Sequence, residues 1–321
     1  MRILVTGCCG FIGSHLVEYL IHHTPYEVVG IDDLRMDGDQ IRKKTNLSLI
    51  QDLERFSFRN ENICDTKCIE EGKPHIVIHL AGLAGVRESV VSPEKYVHNN
   101  VFGHTHLLKQ SILHRVQRFI YASSSSVYGW RSQDGQPFCE NDPIVELKSP
   151  YALSKYTCEV MSEILCQTTT STKIIGCRFF SVYGPRGRPD MAPFRFLERM
   201  IHDRPIEIYG DGNQTRDFTF VGDVVRCIHL LMSVPTKQTK SIYNIGRGNP
   251  VSILELISQL EQLLHKKAEI RFLPVSSMDV PMTFADCQQL LQDVGYSPQT
   301  DLRQGLSAMI QHYHHQTATK T

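Results

Sequence analysis

The chain has 321 residues, enough for one large α/β unit or a large unit with a smaller one. Its 34 Lys+Arg balance 34 Asp+Glu and aromatics make up only 8%, so neither a net field nor a base-stacking surface points to nucleic acid or a charged membrane. No run approaches the roughly 18 apolar residues that span a bilayer, and Ile3-Leu4-Val5 ends at once in a glycine turn rather than in a signal peptide, which predicts a cytoplasmic protein.

Residues 2–6 form an unbroken apolar run, as expected of a central parallel strand buried on both faces. Gly7-Cys-Cys-Gly10-Phe-Ile-Gly13 follows, and apolar residues at 12, 16, 17, 20 and 21 predict a helix over 11–21. The spacing Gly-x-x-Gly-x-x-Gly departs from the dinucleotide fingerprint. Its place between a first strand and a first helix is nevertheless that of a phosphate-binding turn. Glycines let a pyrophosphate reach the backbone, and the helix N-terminus stabilises its charge.

A second strand over 27–31 ends at Asp32-Asp33. Asp32 is placed to accept hydrogen bonds from an adenosine ribose and would repel a 2′-phosphate, which favours NAD over NADP; Asp33 is the alternative ligand. Strands at 56–58 and 76–79 lead into Asn62-Ile63, at the adenine edge, and into Leu80-Ala81-Gly82, small enough for a dinucleotide to lie close. Further strands at 119–121 and 173–177, with helices at 93–114 and 151–167, complete the alternation. It predicts an α/β fold with a Rossmann-type doubly wound parallel sheet.

After Arg178 the segment 182–189 is rich in turn formers and marks a boundary. Beyond it, short strands (206–209, 242–245, 269–273) mix with helices (193–202, 222–233, 252–264, 301–313), a smaller α+β C-terminal portion that takes the substrate. The expected division is 1–180 for the cofactor and the catalytic groups, 181–316 mainly for substrate with some segments returning to the first unit, and a frayed tail at 317–321. The ten cysteines lack framework spacing and read as reduced thiols. The fifteen histidines are scattered, with His312, His314 and His315 read as solvated, so no metal site is expected.

The chemistry is announced by Tyr151-Ala-Leu-Ser-Lys155 and the serine run 123–126. On a helix Tyr151 and Lys155 share a face. A fixed ammonium beside a phenol favours the phenolate, and a serine hydroxyl nearby relays a proton to a substrate alcohol. This is the apparatus of alcohol–ketone hydride chemistry.

Together these residues resemble the extended short-chain dehydrogenases/reductases, the nucleotide-sugar epimerase and dehydratase group, over roughly 1–313. The resemblance implies a triad of Ser124, Tyr151 and Lys155. It also implies a cofactor site of Gly7, Gly10, Phe11, Ile12, Gly13, Asp32, Asn62, Ile63, Leu80, Ala81, Gly82, Asn99, Tyr151, Lys155 and Phe180. Ala84-Gly85-Val86-Arg87, the stretch from Arg178 to Gly187-Arg-Pro-Asp-Met-Ala192, Thr215-Arg-Asp-Phe218 and Asp279-Val-Pro-Met-Thr-Phe-Ala-Asp286 look like the UDP-glucuronate 4-epimerase branch. That branch implies conversion of UDP-glucuronate to UDP-galacturonate through a 4-keto intermediate, with NAD regenerated in each turnover.

Ser124, Ser125, Ser126, Ser181 and Arg188 are then the candidates for holding the sugar and its carboxylate, Arg188 having the alternative of bracing the Pro189 loop. Arg216 would bind the diphosphate, or else pair with Asp217. Arg87 serves cofactor, sugar nucleotide or a loop. Tyr128 and Tyr183 read as packing residues. Relatives that eliminate water carry Asp-Glu at the positions of Ser125-Ser126, and decarboxylases carry Glu at that of Ser126; hydroxyls cannot act as such acids. Two departures stand out: Asn62 replaces the usual Asp, and Arg186 replaces a residue more often aromatic, adding charge near the substrate mouth. The alternatives are a 4-epimerase of neutral UDP-sugars (UDP-glucose or UDP-N-acetylglucosamine), a dehydratase or decarboxylase, and a catalytically silent NAD-dependent regulator. In the resembling family, helices 93–114 and 151–167 pair two subunits into a four-helix bundle, so the resemblance implies a homodimer.

Overall fold

A computed structural model describes residues 1–34, 40–130, 135–169, 171–235, 240–275 and 280–318. In its first half β1 (Arg2–Thr6) feeds α1 (Phe11–His23), β2 (Glu27–Asp32) precedes α2 (Gln40–Ile50), and β3 (Phe56–Asn60) leads to the short α3 (Cys68–Gly72). Then come β4 (Ile76–His79), α4 (Val86–Val91), α5 (Pro93–Tyr96), α6 (Gly103–Leu113), β5 (Arg118–Ser124), α7 (Pro150–Cys166) and β6 (Lys173–Phe179). The second half runs β7 (Ser181–Tyr183), α8 (Ala192–Ile201), β8 (Ile206–Tyr209), β9 (Thr215–Phe220), α9 (Val221–Leu231), β10 (Lys240–Ile245), β11 (Pro250–Ser252) and α10 (Ile253–Leu264). It closes with β12 (Ile270–Leu273), β13 (Met282–Thr283), α11 (Gln288–Val294) and α12 (Leu302–Ala318).

Seven strands pair in parallel in the order β10-β6-β5-β4-β1-β2-β3. The strand order reverses between β1 and β4, which opens a crevice at their carboxyl ends. The unbroken apolar run in β1 follows from the pleat. Ile3 and Val5 enter a core shared with α1 and α9, whereas Leu4 faces Val77, Phe119, Leu107 and Leu108 on the other side. Each such side chain contributes about 1.5–3 kcal/mol when fully buried, so the middle of the sheet is doubly anchored. A separate core joins Leu197 and Met200 of α8 to Leu256 and Leu260 of α10 and Leu306 and Met309 of α12.

Several expectations are corrected. The strand at 242–245 is the edge of the main sheet, paired with β6. The smaller portion has its own strands instead, β11-β9-β13 with β7 on β9 and β12 beside β8. The helix expected over 93–114 contains a π-helical turn, Val97–Phe102, between α5 and α6. The wider turn re-aims the chain by one residue and buries Asn100, whose amide bonds the backbone N–H and C=O of Leu83 (2.7 and 2.9 Å) and Ser154 Oγ (3.0 Å). No Pro or Gly marks that turn in the sequence. Helix α2 has no apolar stripe to betray it; it buries Lys43, Asn46 and Ile50.

Helix α12 continues past 313 to Ala318, and the end of the expected tail, like Asp279, lies outside the described residues. His312 is not a solvated tail residue, because its Nε2 is buried on α12 without a hydrogen-bond partner among the described residues. All ten cysteines are free thiols. Among the described residues no helix is long and apolar enough to cross a membrane. None of them form a group of three or more His, Cys, Asp or Glu side chains able to hold a metal ion.

Candidate active site

The glycine turn is shaped by contacts that only glycine permits. Gly7 has φ +70°, and a Cβ there would lie 2.7 Å from Ala81 N; one on Gly13 would lie 2.0 Å from Gly7 O. The turn therefore lies flat against the end of β4, where Thr6 Oγ1 accepts from Ala81 N (3.1 Å) and pairs with His79 Nδ1 (2.8 Å). Gly10 is the N-cap of α1 and supplies no side-chain cap, so the first-turn N–H groups stay available to an anion. Phe11 is buried and Ile12 half-buried behind the turn. This cradle fits a dinucleotide pyrophosphate.

Asp32 stands at the tip of β2, as expected, but it is buried and already paired. It accepts from Cys9 N (3.2 Å) and from Lys43 Nζ (2.6 Å), while the same ammonium lies 3.8 Å from Asp33. Lys43 escaped the sequence reading, since a lone lysine in a polar stretch carries no signal. Asn62 is tied to the end of β2: its amide donates to Asp33 Oδ2 (3.0 Å) and accepts from Cys64 N (2.8 Å). Ile63 is buried against Gly103. Leu80 packs against the β1 core, Asn99 lies in the π-helical turn, and Phe180 is buried beside Tyr128.

Helix α7 carries Tyr151 and Lys155. Ser149 caps α7, accepting from Ala152 N, and Pro150 opens it, which fixes Tyr151 in the first turn. Lys155, one turn on, is buried and donates to Ala122 O (2.9 Å) on β5. A Cβ on Gly82 would sit 3.3 Å from Lys155 Nζ, which places the lysine beside the chain neighbour of Ala81, the residue that the glycine turn packs on. Ser124 ends β5, its hydroxyl donating to Ser126 Oγ and accepting from Ser126 N (both 3.1 Å) across the short turn Ser125–Tyr128. Tyr96 packs edge-on against Tyr151 (6.2 Å between centroids) and donates to Gly85 O (3.1 Å).

Glu159, one turn beyond Lys155 on α7, belongs to a buried ion pair that the sequence reading missed. Arg178 Nε and Nη2 donate to Glu159 Oε1 and Oε2 (3.0 and 2.8 Å), Ser123 Oγ donates to Glu159 Oε1 (2.5 Å), and Arg178 Nη1 donates to Glu140 O (3.0 Å). The guanidinium lies 4.7 Å from the centre of the Tyr128 ring, whose hydroxyl donates to Asn244 Oδ1 (2.6 Å). The signal was present: Tyr151, Lys155 and Glu159 follow one another at four-residue intervals on one helix face. Tyr128 and Tyr183 are buried packing residues, the latter donating to Asp301 O and Leu302 O (3.3 Å each).

In the second half of the chain, Ser181 opens β7 and Arg188 forms a forked pair with Asp190. The Arg87 guanidinium lies 4.1 Å from the Tyr209 ring centre, joining α4 to β8. Arg195 on α8, not foreseen, has its pKa pushed down by burial and by the neighbouring Arg87 and Arg199, a cationic group that an anion would relieve. Arg216 donates to Thr215 O (2.8 Å). The alternative that pairs it with Asp217 is corrected. Asp217 points to the opposite side of β9 and accepts from Arg247 N, Gly248 N and Ala285 N, with burial nonetheless holding its carboxyl above the usual range. Arg186 is likewise corrected: its guanidinium turns onto α1 and pairs with Glu18.

Two buried imidazoles give the site a pH-dependent stability. His104 bonds Ser162 Oγ (3.0 Å) and lies 5.5 Å, ring to ring, from His79. Burial, with Lys155 adding to it, pushes His104 down to about 3, and burial pushes His79 down as well. Below pH ~6.5 the unfolded chain takes up protons that the folded protein refuses, so stability falls with acidification through the window from 6.5 to 3. For His104 the loss is about 2 kcal/mol by pH 5. His104→Gln is expected to flatten the change in urea-unfolding free energy between pH 7 and 5 by that amount; an unchanged slope refutes it.

The model of the NAD dependent epimerase/dehydratase family matches residues 3–246. The UDP-glucuronate 4-epimerase of Thermodesulfobacterium geofontis is 35% identical over 313 residues, covering 96% of this chain and 94% of that protein. The crystal structure of the UDP-glucuronic acid 4-epimerase from Bacillus cereus, in complex with UDP-glucuronic acid and NAD, superposes with a TM-score of 0.92 at 35% identity over 98% of this chain and 100% of that one. The UDP-glucose 4-epimerase of Thermotoga maritima, solved with UDP-glucose, gives 0.88 at 30% identity over 99% and 100%. With its glycine cradle, its Ser124–Tyr151–Lys155 trio and this match over most of its length, the chain belongs to the NAD dependent epimerase/dehydratase family.

Proposed function

We propose that the protein is an NAD-dependent 4-epimerase that interconverts UDP-glucuronate and UDP-galacturonate. The observation that carries the reading is Lys155 Nζ beside Gly82, next to the Ala81 that packs on the glycine turn, together with a serine turn that offers hydroxyls and no carboxylic acid. When bound, the nicotinamide supplies a hydride acceptor and donor for the sugar C4. Gly7, Gly10 and Gly13 let the pyrophosphate approach α1, and the Asp32–Lys43 pair faces the adenosine ribose. Tyr151 takes the proton of the C4 hydroxyl and later returns one to the 4-keto sugar. Lys155, held by Ala122 O, keeps a positive charge below the phenol, and Ser124 steadies the oxygen in motion.

Ser125, Ser126, Ser181 and Arg188 hold the C6 carboxylate with neutral donors and one guanidinium. The absence of a side-chain acid at 125 and 126 favours return of the intermediate over elimination or loss of CO2. Arg87, Arg195 and Arg216 meet the diphosphate. Incubation with UDP-glucuronate, UDP-glucose and a dTDP-sugar, with products read by NMR, is expected to yield UDP-galacturonate. Its absence overturns the proposal, and released CO2 or a 4-keto-6-deoxy product would point to a decarboxylase or dehydratase. A neutral UDP-hexose is the second reading, favoured by the neutralisation of Arg188 by Asp190.

The protein acts as a homodimer in a reducing cytoplasm, a setting in keeping with ten free thiols. Val97 and Phe102 of the π-helical turn and Leu153, Val160 and Ile164 of α7 are exposed, an apolar face that a second copy would cover. Light scattering is expected to give twice the chain mass, and Ile164→Glu is expected to yield monomer; a wild-type monomer refutes the dimer.

A further inference from the structure

The forked partner of Arg188 is itself a carboxylate. Arg188 Nε donates to Asp190 Oδ1 (2.9 Å) and Nη2 to Oδ2 (2.5 Å), the parallel geometry in which a guanidinium grips any bound carboxylate. The pair lies at the catalytic end of the sheet. A Cβ on Gly85 would be 3.6 Å from Arg188 Nη2 and 3.5 Å from Tyr96 Oη, and the Tyr96 ring packs against Tyr151. The two side chains differ in shelter: 25% of the Arg188 side chain is exposed against 56% for Asp190. Only Pro189 separates them, and Met191 N closes the turn onto Arg188 O (3.2 Å). The proline fixes the backbone that keeps both groups together.

We propose that Asp190 is a resident stand-in for the substrate carboxylate, a residue that sets the margin by which a uronate is preferred over a neutral hexose. The inference rests on the assignment of Arg188 to the uronate. A ligand that brings its own carboxylate exchanges one ion pair for another, and Asp190, already half in water, is released at little cost. A sugar ending in a hydroxymethyl group cannot replace the pair, so it binds with Arg188 still closed on Asp190. The exchange also keeps the hold on the uronate moderate, since every binding event must displace the internal competitor. Removing the competitor therefore strengthens uronate binding and leaves neutral sugars as they were.

The test compares KM for UDP-glucuronate and UDP-glucose in the wild type, Asp190→Asn and Asp190→Glu, with melting temperatures as the folding control. Asp190→Asn is expected to lower KM for UDP-glucuronate about fivefold, in proportion to a partly exposed ion pair of about 1 kcal/mol. KM for UDP-glucose is expected to stay within about twofold, and Asp190→Glu, which keeps the carboxylate, is expected to behave as the wild type. Equal tightening for both sugars overturns the inference, because Arg188 would then serve the diphosphate they share. An unchanged or raised KM for UDP-glucuronate also overturns it, the latter making Asp190 a brace for Arg188. Wild-type enzyme that fails to turn over UDP-glucuronate at all refutes the proposed function itself, and this inference with it.

Discussion

Tyr151→Phe is expected to lower kcat by about a thousandfold or more while leaving the fold and the bound dinucleotide intact. The loss follows from the proposed mechanism, in which Tyr151 takes the proton of the C4 hydroxyl and returns one in every turnover. General acid–base catalysis typically contributes 10²–10⁴. Ser124 cannot substitute, since a hydroxyl bonded to Ser126 is a relay and not a base near neutral pH. Phenylalanine keeps the ring that packs edge-on against Tyr96, so the melting temperature should not move. Because the interaction serves the transition state, kcat and kcat/KM should fall together. Steady-state rates, with NAD quantified after heat release, check both halves. Activity within tenfold of wild type would place the proton acceptor elsewhere.

Arg178→Met is expected to cost about 3–5 kcal/mol of stability, a large share of the total for a domain of this kind. The substitution leaves Glu159 buried with Ser123 as its remaining side-chain partner. An uncompensated buried carboxylate must take up a proton or open the structure. The consequence reaches the site, because Ser123 and Ser124 are neighbours on β5 and Glu159 is one turn beyond Lys155 on α7. The pair therefore sets the height of the catalytic helix against the strand that carries the serine. Adding Glu159→Leu to Arg178→Met is expected to recover most of the stability, since a well-packed apolar pair often replaces a buried ion pair without loss. Urea unfolding of the two singles and the double closes the cycle; additive losses would show the two residues to be independent.

Both residues were within reach of the sequence, but only one was read. Tyr151 and Lys155 declare themselves because few structural reasons place a tyrosine and a lysine one turn apart after a serine run. Glu159 continues that face, yet an acidic residue on a helix is usually a solvated one. Its partner lies 19 residues away on another element. Lys43 and Arg195 share this difficulty: each gains meaning only from what stands opposite, the carboxylates of β2 in one case and the other arginines in the other. Asn62 and Arg186 show the converse. Their positions in the motif were legible, but the partners that capture their side chains, Asp33 and Glu18, were not.

The parallel sheet, the glycine turn after β1, the carboxylate at the tip of β2 and the Tyr151–Lys155 spacing on α7 were legible in the sequence. These rest on local rules, in which apolar runs, turn glycines and four-residue spacing act within a few residues of one another. Tertiary structure alone decided that β10 returns to the main sheet, that a π-helical turn buries Asn100, that Asp217 turns inward and that Arg188 already holds Asp190. In the first three cases the deciding partner is distant in the chain. In the last it is only two residues away, and what mattered was the direction in which the folded loop points both side chains. Pairing of strands, satisfaction of buried polar groups and choice of ion partner are settled by packing, where leaving a charge or an amide unpaired costs more than any local preference.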